Sequence, residues 1–260
     1  MLFDTMNINA AGERPDCSQR VSNSHKSRLT AAMRRTLASV LDNYHAMPAA
    51  LKAFRLAGFA IAALLLARSA HAAEWQVQPG ESVQAAIGKA AAGDTIRVAR
   101  GRYLENLRIE KPLKLIGIDR PTISGDLKGD TIRVVAPDVS IEGFIVADSG
   151  ADLGKQNAGI YIQPGAHRAR VSHCDFSYTL FGLWIEKVDD VRIEHNLITG
   201  KRDLDSSQRG NGIELYNTTG ARIIGNNISF VRDAIYVDVS HHVVFRNNRM
   251  HHSRYGTHYM

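Results

Sequence analysis

From residue 130 onward the sequence repeats one short unit, and successive units begin 23, 30, 22 and 22 residues apart. Each unit opens with a small residue followed by a run in which apolar side chains alternate with others. The unit starts are Gly159-Ile160-Tyr161-Ile162, Gly182-Leu183-Trp184-Ile185, Gly212-Ile213-Glu214-Leu215, Ala234-Ile235-Tyr236-Val237 and Gly256-Thr257-His258-Tyr259. A fixed period built from runs too short for helices is typical of a solenoid. We predict an all-β fold, a right-handed parallel β-helix with coils of ~22 residues.

The alternation within each run predicts which side chains face the interior, since successive residues of a strand point to opposite faces. One strand alone cannot bury its apolar face, whereas coils stacked about 4.8 Å apart can. The first predicted inner column is Ile160, Leu183, Ile213 and Ile235. The second is Ile162, Ile185, Leu215 and Val237.

A second strand-like phrase follows about a dozen residues after each start and places an asparagine at a corner between strands. Asparagine tolerates left-handed backbone and can hydrogen-bond from coil to coil, so we predict a structural ladder there. Its predicted members are Cys174, Asn196, Asn226 and Asn247. A lone inward cysteine acts more often as a small hydrophobic residue than as a nucleophile, and we expect this of Cys174.

Residues 47–72 have the organisation of a secretory signal peptide, with basic Lys52 and Arg55, an apolar stretch over 56–67 and an A-x-A site before Ala73. We therefore expect export to the periplasm, with residues 1–46 a disordered upstream over-extension and 73–260 the β-helix domain. An uncleaved anchor with a cytoplasmic tail is the alternative. Residues 73–260 carry 23 basic and 22 acidic side chains, so the positive net charge does not indicate nucleic-acid binding.

Between this segment and the repeats, Gln78-Pro79-Gly80 precedes a short amphipathic stretch over residues 83–92. We predict that it forms a capping helix, because a solenoid must cover the apolar edge of its first coil. Less regular strands are expected over residues 95–135.

Two coils carry polar insertions, Ala147–Asn157 and Thr199–Arg209, at the same point of the repeat. Equal phase predicts that both project from one edge of the solenoid. The strands that follow them present a row of outward side chains: Tyr161, Trp184, Glu214 and Tyr236, then His258. Exposed aromatic side chains on a flat sheet favour a surface for a sugar ring or a protein partner. The alternative is that the insertions cover the row.

Histidines cluster at the end of the chain, where His251, His252 and His258 lie near Met260. Imidazole with thioether is a ligand set suited to copper, above all Cu(I). Because adjacent strand residues point to opposite faces, His251 and His252 would need a turn to act together. Surface histidines that bind no metal remain the alternative.

The terminal segment from Arg254 to Met260, RYGTHYM, resembles a segment of the NosD family, and Gly93-Asp94-Thr95 with Leu115-Ile116-Gly117 resembles its capping region. That group includes carbohydrate-binding and sugar-hydrolase β-helices. The resemblance implies a periplasmic accessory protein, more a binding protein than an enzyme, for assembly of the copper–sulfur centre of nitrous oxide reductase. The implied partners are the membrane and ATPase subunits of an ABC transporter, the reductase and a copper chaperone. Met260 falls within a coil, so the chain is expected to be truncated at its C-terminus.

An enzyme on the same scaffold is the rival interpretation, namely a secreted polysaccharide lyase or C5-epimerase. Glu186, Glu214 and Asp238 on the outward sheet, with Tyr216 and Tyr236 nearby, could form an acid–base groove. The same columns contain no arginine or lysine to stabilise an anion, and no DPH-type motif is present. A shared fold does not decide between these functions.

Overall fold

The structure, a computed structural model, describes residues 72–260. The predictions for residues 1–46 and for nearly all of the signal segment concern residues outside this range. Within it the chain forms a parallel β-helix, which confirms the predicted fold. No helix of the described part is long and apolar enough to cross a membrane.

Each coil contributes three short strands. The first strands are β1 (Glu74–Val77), β2 (Thr95–Val98), β3 (Arg102–Leu104), β4 (Leu107–Ile109), β5 (Lys114–Gly117), β6 (Thr122–Ser124) and β7 (Ile132–Val134). The central strands are β8 (Ser140–Glu142), β9 (Ile145–Ala147), β10 (Ala158–Ile162), β11 (Arg170–Ser172), β12 (Asp175–Thr179), β13 (Phe181–Glu186), β14 (Arg192–Glu194) and β15 (Leu197–Gly200). The last strands are β16 (Ile213–Tyr216), β17 (Arg222–Ile224), β18 (Asn227–Ser229), β19 (Asp233–Asp238), β20 (Val244–Arg246), β21 (Arg249–His251) and β22 (Tyr255–Tyr259).

The strands stack into three parallel sheets. The first sheet has the order β1-β2-β5-β8-β11-β14-β17-β20. The second sheet is β4-β7-β10-β13-β16-β19-β22, and the third is β3-β6-β9-β12-β15-β18-β21. From β2 onward each sheet takes every third strand, so equivalent positions of successive coils are paired, except for a register shift between β12 and β15 after Ser177.

The core lies inside the three sheets and has the columns that the sequence predicts. Ile160, Leu183, Ile213 and Ile235 are paired rung by rung in the second sheet and are fully buried. Ile162, Ile185, Leu215 and Val237 form the second column in the same register. The predicted strand register is therefore confirmed.

The small residue that opens each unit is required by a close approach between coils. A Cβ atom at Gly182 would collide with the carbonyl oxygen of Gly212 and with the side chain of Ile198. At Gly212 it would collide with Ile228 and with the carbonyl oxygen of Ala234. The repeat of small residues is thus a steric requirement of the stack.

The corner ladder exists, but its last rung differs from the prediction. Asn196 accepts a hydrogen bond from the amide of Cys174 over 2.9 Å, and Asn226 accepts from the Asn196 amide over 3.0 Å. The next acceptor is Asn248, which accepts from the Asn226 amide over 2.9 Å. The assignment of Asn247 was wrong, because that residue takes the left-handed bend before the ladder, at φ 56°.

At the base of the ladder, Cys174 is fully buried, and burial raises the pKa of its thiol to about 12. A thiol that stays protonated in an apolar corner is chemically inert. The expectation that Cys174 serves as a small hydrophobic residue is therefore confirmed.

The capping helix α1 spans Val83–Lys89 and is shorter than the predicted 83–92. Ser82 caps its N-terminus by accepting from the amide of Ala85. Glu105 accepts hydrogen bonds from the next free amides, of Val83 and Gln84. Such partners satisfy donors that a helix start leaves open, so the cap is fixed to the first coil.

Candidate functional site

The outward row predicted on the second sheet is present. Tyr161, Trp184, Glu214, Tyr236 and His258 pair with one another in successive strands from β10 to β22. Glu186, Tyr216 and Asp238 stand two positions further along the same strands. The sheet therefore holds a column of aromatic and acidic side chains beside a second polar column.

Both insertions reach the edge of the second sheet, as their equal phase predicted. Leu153 and Gln156 come from the first insertion, and Arg209 from the second. Lys201, at the start of the second, donates from Nζ to the carbonyl oxygen of Ser149 over 3.1 Å, which ties the insertions together. The insertions therefore wall the outward row, and neither interpretation of it holds in full: the row is neither flatly exposed nor wholly covered.

The result is a cleft of about 460 Å³, here called the groove. Its wall and floor residues are Leu153, Gln156, Phe181, Trp184, Arg209, Gly210, Asn211, Glu214, Arg232, Asp233, Tyr236, Asp238, Arg254, His258 and Met260. The Phe181 and Trp184 rings meet edge to face with centroids 5.1 Å apart, and the rings of Tyr236 and His258 do so at 4.7 Å. Aromatic walls with polar groups between them are typical of a ligand site.

The burial of Glu214 differs most from what its outward position on the strand predicts. Glu214 points to the outer side of the sheet as predicted, yet it is only 5% exposed, and its carboxyl accepts a hydrogen bond from the side chain of Asn211. Burial raises its pKa to about 7, and the nearby charges of Asp238 and Asp233 add to the rise, whereas a hydrogen bond from Asn211 opposes it. The groove therefore contains a carboxyl group that titrates near neutral pH.

Asp233 forms the centre of a second network in the groove floor. Its fully buried carboxylate accepts from Arg254 Nε over 2.9 Å and from Arg254 Nη2 over 2.6 Å. It also lies 2.9 Å from Nδ1 of His258. Hydrogen bonds from Arg254 and His258 hold the Asp233 pKa below its ordinary value, although burial acts in the opposite direction. The network fixes the position of His258 in the groove.

Tyr161 lies outside the groove and lines a second recess, together with Arg133 and Gln156. Its hydroxyl donates to Glu186 Oε2 over 2.5 Å, and the guanidinium of Arg133 covers its ring with 4.6 Å to the centroid. Burial and the hydrogen bond to Glu186 raise the pKa of its hydroxyl. Of the four residues predicted as a partner or ligand surface, the groove thus contains Trp184, Glu214 and Tyr236.

The predicted metal residues fall into two separate pairs. The turn required for His251 and His252 is present, since His252 has φ 54° and the two Nδ1 atoms lie 2.7 Å apart. His258 and Met260 instead line the groove on the second sheet. Over residues 72–260, no three His, Cys, Asp or Glu side chains are grouped so that they could hold a metal ion.

Each pair nevertheless has the chemistry of a partial metal site. Nε2 of His251 lies 3.0 Å from Oδ1 of Asn227, and Nδ1 of His258 lies 2.9 Å from Asp233. When one ring nitrogen donates to an oxygen, the other presents its lone pair, as metal-bound histidines do. The Nδ1 atoms of His251 and His252 lie within hydrogen-bond distance of each other, so without a metal one of them carries the proton. Imidazole and thioether are ligand types that suit Cu(I), and each pair supplies two such side chains.

Several groove residues were missed from the sequence, above all Asn211, Asp233 and Arg232. Asn211 and Asp233 both stand immediately before the small residue of a unit, and the amide of Asp233 donates to the side chain of Asn211 over 3.1 Å. Polar residues that recur at this position of the repeat are the sequence signal that could have identified both. Arg254 is part of the terminal heptad, and no pattern in the sequence indicates its contact with Asp233.

Residues 194–260 match the model of a family described as periplasmic copper-binding protein (NosD). The matched range includes the groove strands β16, β19 and β22 and all four candidate metal residues. The resemblance to NosD that the terminal heptad indicated is therefore confirmed.

Two curated relatives bear the name "Probable ABC transporter binding protein NosD". The protein from Stutzerimonas stutzeri is 34% identical over 137 residues, which are 53% of this chain and 31% of that protein. The protein from Pseudomonas aeruginosa is 30% identical over 136 residues, 52% of this chain and 32% of that protein. The aligned part thus spans about a third of the length of these relatives.

Among solved structures, a pectin methylesterase from Aspergillus niger is similar, with 15% identity, 70% of this chain and 83% of that chain covered, and a TM-score of 0.43. A pectin methylesterase in complex with a hexasaccharide has 15% identity over 70% of this chain and 89% of that chain, with a TM-score of 0.37. At these TM-scores the likeness carries no argument about function.

Proposed function

We propose that this NosD-like chain is a periplasmic accessory protein that acts with an ABC transporter to support assembly of the copper–sulfur centre of nitrous oxide reductase. The observation that carries the proposal is the family match over residues 194–260, which contains His251, His252 and His258. The names of the two curated relatives support an association with a transporter.

In this proposal copper is cargo, and the terminal coils supply its contacts. His251 and His252 form one contact through their facing Nδ1 atoms, and His258 with Met260 forms the other. Asn227 orients the ring of His251, and Asp233 orients the ring of His258, each through a hydrogen bond to a ring nitrogen. Few ligands at each contact favour weak, exchangeable binding of Cu(I), which suits transfer to another protein.

The groove is the proposed contact surface for a partner, be it the transporter's membrane subunits, the reductase or a copper chaperone. Trp184 and Tyr236 provide aromatic area of the kind that is enriched at interfaces. Arg232 and Asp238 provide charged groups beside them. Because His258 and Met260 lie in the same groove, a partner bound there would touch these two proposed copper ligands directly.

The test is a competition titration of Cu(I) between the chain and a chromophoric chelator. A variant with His251, His252 and His258 changed to Ala should lose at least tenfold in affinity, about 1.4 kcal/mol. The matched control changes His241 and His242 to Ala, because this second adjacent pair is also exposed and His242 is also left-handed at φ 54°. Equal affinities in all three proteins would remove the copper role.

A second candidate function, a polysaccharide lyase or C5-epimerase, is favoured by one observation. Glu214 lies in a cleft with a pKa of about 7, and a carboxyl poised near neutral pH can act as a general acid or base. Arg232 lines the same cleft and could stabilise an anion. Formation of unsaturated or epimerised sugars from acidic polysaccharides, lost in Glu214→Gln, would favour this function over assembly.

A further inference from the structure

The outer face of the first sheet carries a column of three arginines. Arg170 pairs with Arg192, and Arg192 pairs with Arg222, in the parallel register of β11, β14 and β17. All three side chains are exposed. Neighbouring rungs of a sheet are about 4.7–4.9 Å apart, so three guanidinium groups start from one straight line along the solenoid axis.

Such a column costs stability when nothing binds it, because like charges directly opposite one another on adjacent strands repel. Within residues 72–260, no carboxylate lies within ion-pair distance of these three side chains. Seven other arginines of the same region each have such a partner: Arg97, Arg102, Arg108, Arg120, Arg133, Arg168 and Arg254. Six further arginines of this region also form no ion pair, so what distinguishes the column is the alignment of three unpaired arginines on adjacent strands.

The column lies in a shallow cleft of about 410 Å³ lined by Asp138, Val139, Ser140, Arg168, Arg170, Asp190, Arg192, Gly220 and Arg222. Asp138 forms an ion pair with Arg168, which donates to both of its carboxylate oxygens over 2.7 Å. With four arginines and two aspartates, the lining is net positive. On the other side of the column, Glu142 and Glu194 stand two positions along the same strands as Ser140 and Arg192.

We propose that Arg170, Arg192 and Arg222 form a docking site for an acidic face of a helix in a partner protein. The planar fork of each guanidinium matches a carboxylate, with which it forms charge-assisted hydrogen bonds. Asp190 and Glu194 stand on either side of Arg192, so the positive strip is narrow at its middle rung. A broad anionic surface, such as a membrane or a nucleic-acid duplex, would meet those carboxylates, whereas a single acidic stripe would not.

The spacing selects a helix over an extended segment. Carboxylates at helix positions i, i+3 and i+7 rise by about 4.5 and 10.5 Å, close to the roughly 4.8 and 9.6 Å of the arginine column. Same-face residues of an extended strand are about 6.7 Å apart and lose register by the third position. The site lies on the first sheet, away from the strands that form the groove, and it does not depend on the copper proposal.

The test uses the full chain and two fluorescent helix-forming peptides, titrated by fluorescence polarisation at low salt. One peptide carries glutamates at i, i+3 and i+7, and the other has the same composition with the glutamates spread around the helix. The striped peptide should bind more tightly than the spread peptide. Arg192→Ala should weaken its binding roughly fivefold, as expected for loss of one exposed charge pair.

The matched control is Arg100→Ala, which removes an exposed arginine that forms no ion pair within residues 72–260 and lies outside the column. Binding by this variant should equal that of the unchanged chain. Equal binding of the two peptides, or an equal loss in Arg100→Ala and Arg192→Ala, would overturn the proposal, because the attraction would then depend on net charge alone. Displacement of the striped peptide by equimolar inorganic phosphate would also overturn it and identify a site for small anions.

Discussion

The side-chain amide of Asn211 donates a hydrogen bond from Nδ2 to the Glu214 carboxyl over 2.6 Å, beneath the wall of the groove. Asn211 stands directly before the small residue that opens a repeat unit, and Glu214 stands at the centre of the outward row. The contact shows how a polar residue at the start of a unit changes the chemistry of the outward row. A side chain that would otherwise be solvated is enclosed, and its pKa rises to about 7.

This rise predicts a specific dependence of stability on pH. Since the Glu214 pKa is raised from 4.5 to about 7 on folding, the folded state binds more protons than the unfolded state between these values. The contribution of Glu214 to stability therefore falls as pH rises through that window, by up to about 3 kcal/mol. Glu214→Gln keeps the hydrogen bond without the charge, and it should lose less stability than the unchanged chain between pH 5 and pH 8.

Urea unfolding midpoints of both proteins at pH 5 and pH 8 provide the measurement. Asp238 and Asp233, whose charges raise the Glu214 pKa, remain in both proteins, so their own contributions largely cancel. Parallel pH profiles for the two proteins would mean that Glu214 is ionised and solvated throughout, contrary to its burial.

The strand register predicts opposite outcomes for the same substitution at two isoleucines. Ile213→Asp places a carboxylate in the fully buried inner column, which should cost several kcal/mol of unfolding free energy. Ile224→Asp places it on the partly exposed outer side of β17, where we expect a change within about 0.5 kcal/mol. Thermal and urea unfolding of the two variants would give similar values only if the register were shifted by one residue.

The corrected end of the ladder is testable with two adjacent asparagines. Asn248→Ala removes the acceptor for the backbone and side-chain amides of Asn226 and the donor to the Ile223 carbonyl oxygen. Leaving such groups unsatisfied should cost about 1–3 kcal/mol. Asn247→Gly should be nearly neutral, because glycine readily adopts the φ of 56° found there. A larger loss in Asn247→Gly than in Asn248→Ala, measured by urea unfolding, would restore the original assignment.

The contact between the two insertions depends on Lys201, which is 3% exposed and has its Nζ 3.8 Å from the centroid of the Tyr178 ring. Lys201→Met leaves the carbonyl oxygen of Ser149 without its donor, so the second insertion should open more often. We expect limited trypsin cleavage after Arg202 or Arg209 to become about tenfold faster.

Lys155→Met is the control for this experiment, since Lys155 lies in the first insertion and its side chain is largely exposed. Its effect on cleavage after Arg202 and Arg209 should be negligible. Unchanged cleavage in Lys201→Met would mean that the insertion is held by its other contacts alone.

Most of the fold could be predicted because the repeat contains the same information several times. Each of Ile160, Leu183, Ile213 and Ile235 indicates the same inward phase, and an error at one coil is corrected by the others. The last asparagine of the ladder lacked this redundancy. Asn247 and Asn248 are adjacent and chemically identical, and only backbone geometry distinguishes the left-handed bend from the inward rung.

The sequence by itself determined the strand register, the inner columns and the row of outward side chains, because period-two alternation and coil-to-coil stacking are local rules repeated along the chain. Only the tertiary structure decided what the outward row became. Burial of Glu214, placement of His258 on a different sheet from His251, and the ion pair of Asp233 with Arg254 all depend on how side chains pack once the coils are stacked. Side-chain solvation follows from this packing, which the alternation of apolar and polar residues along one strand does not specify.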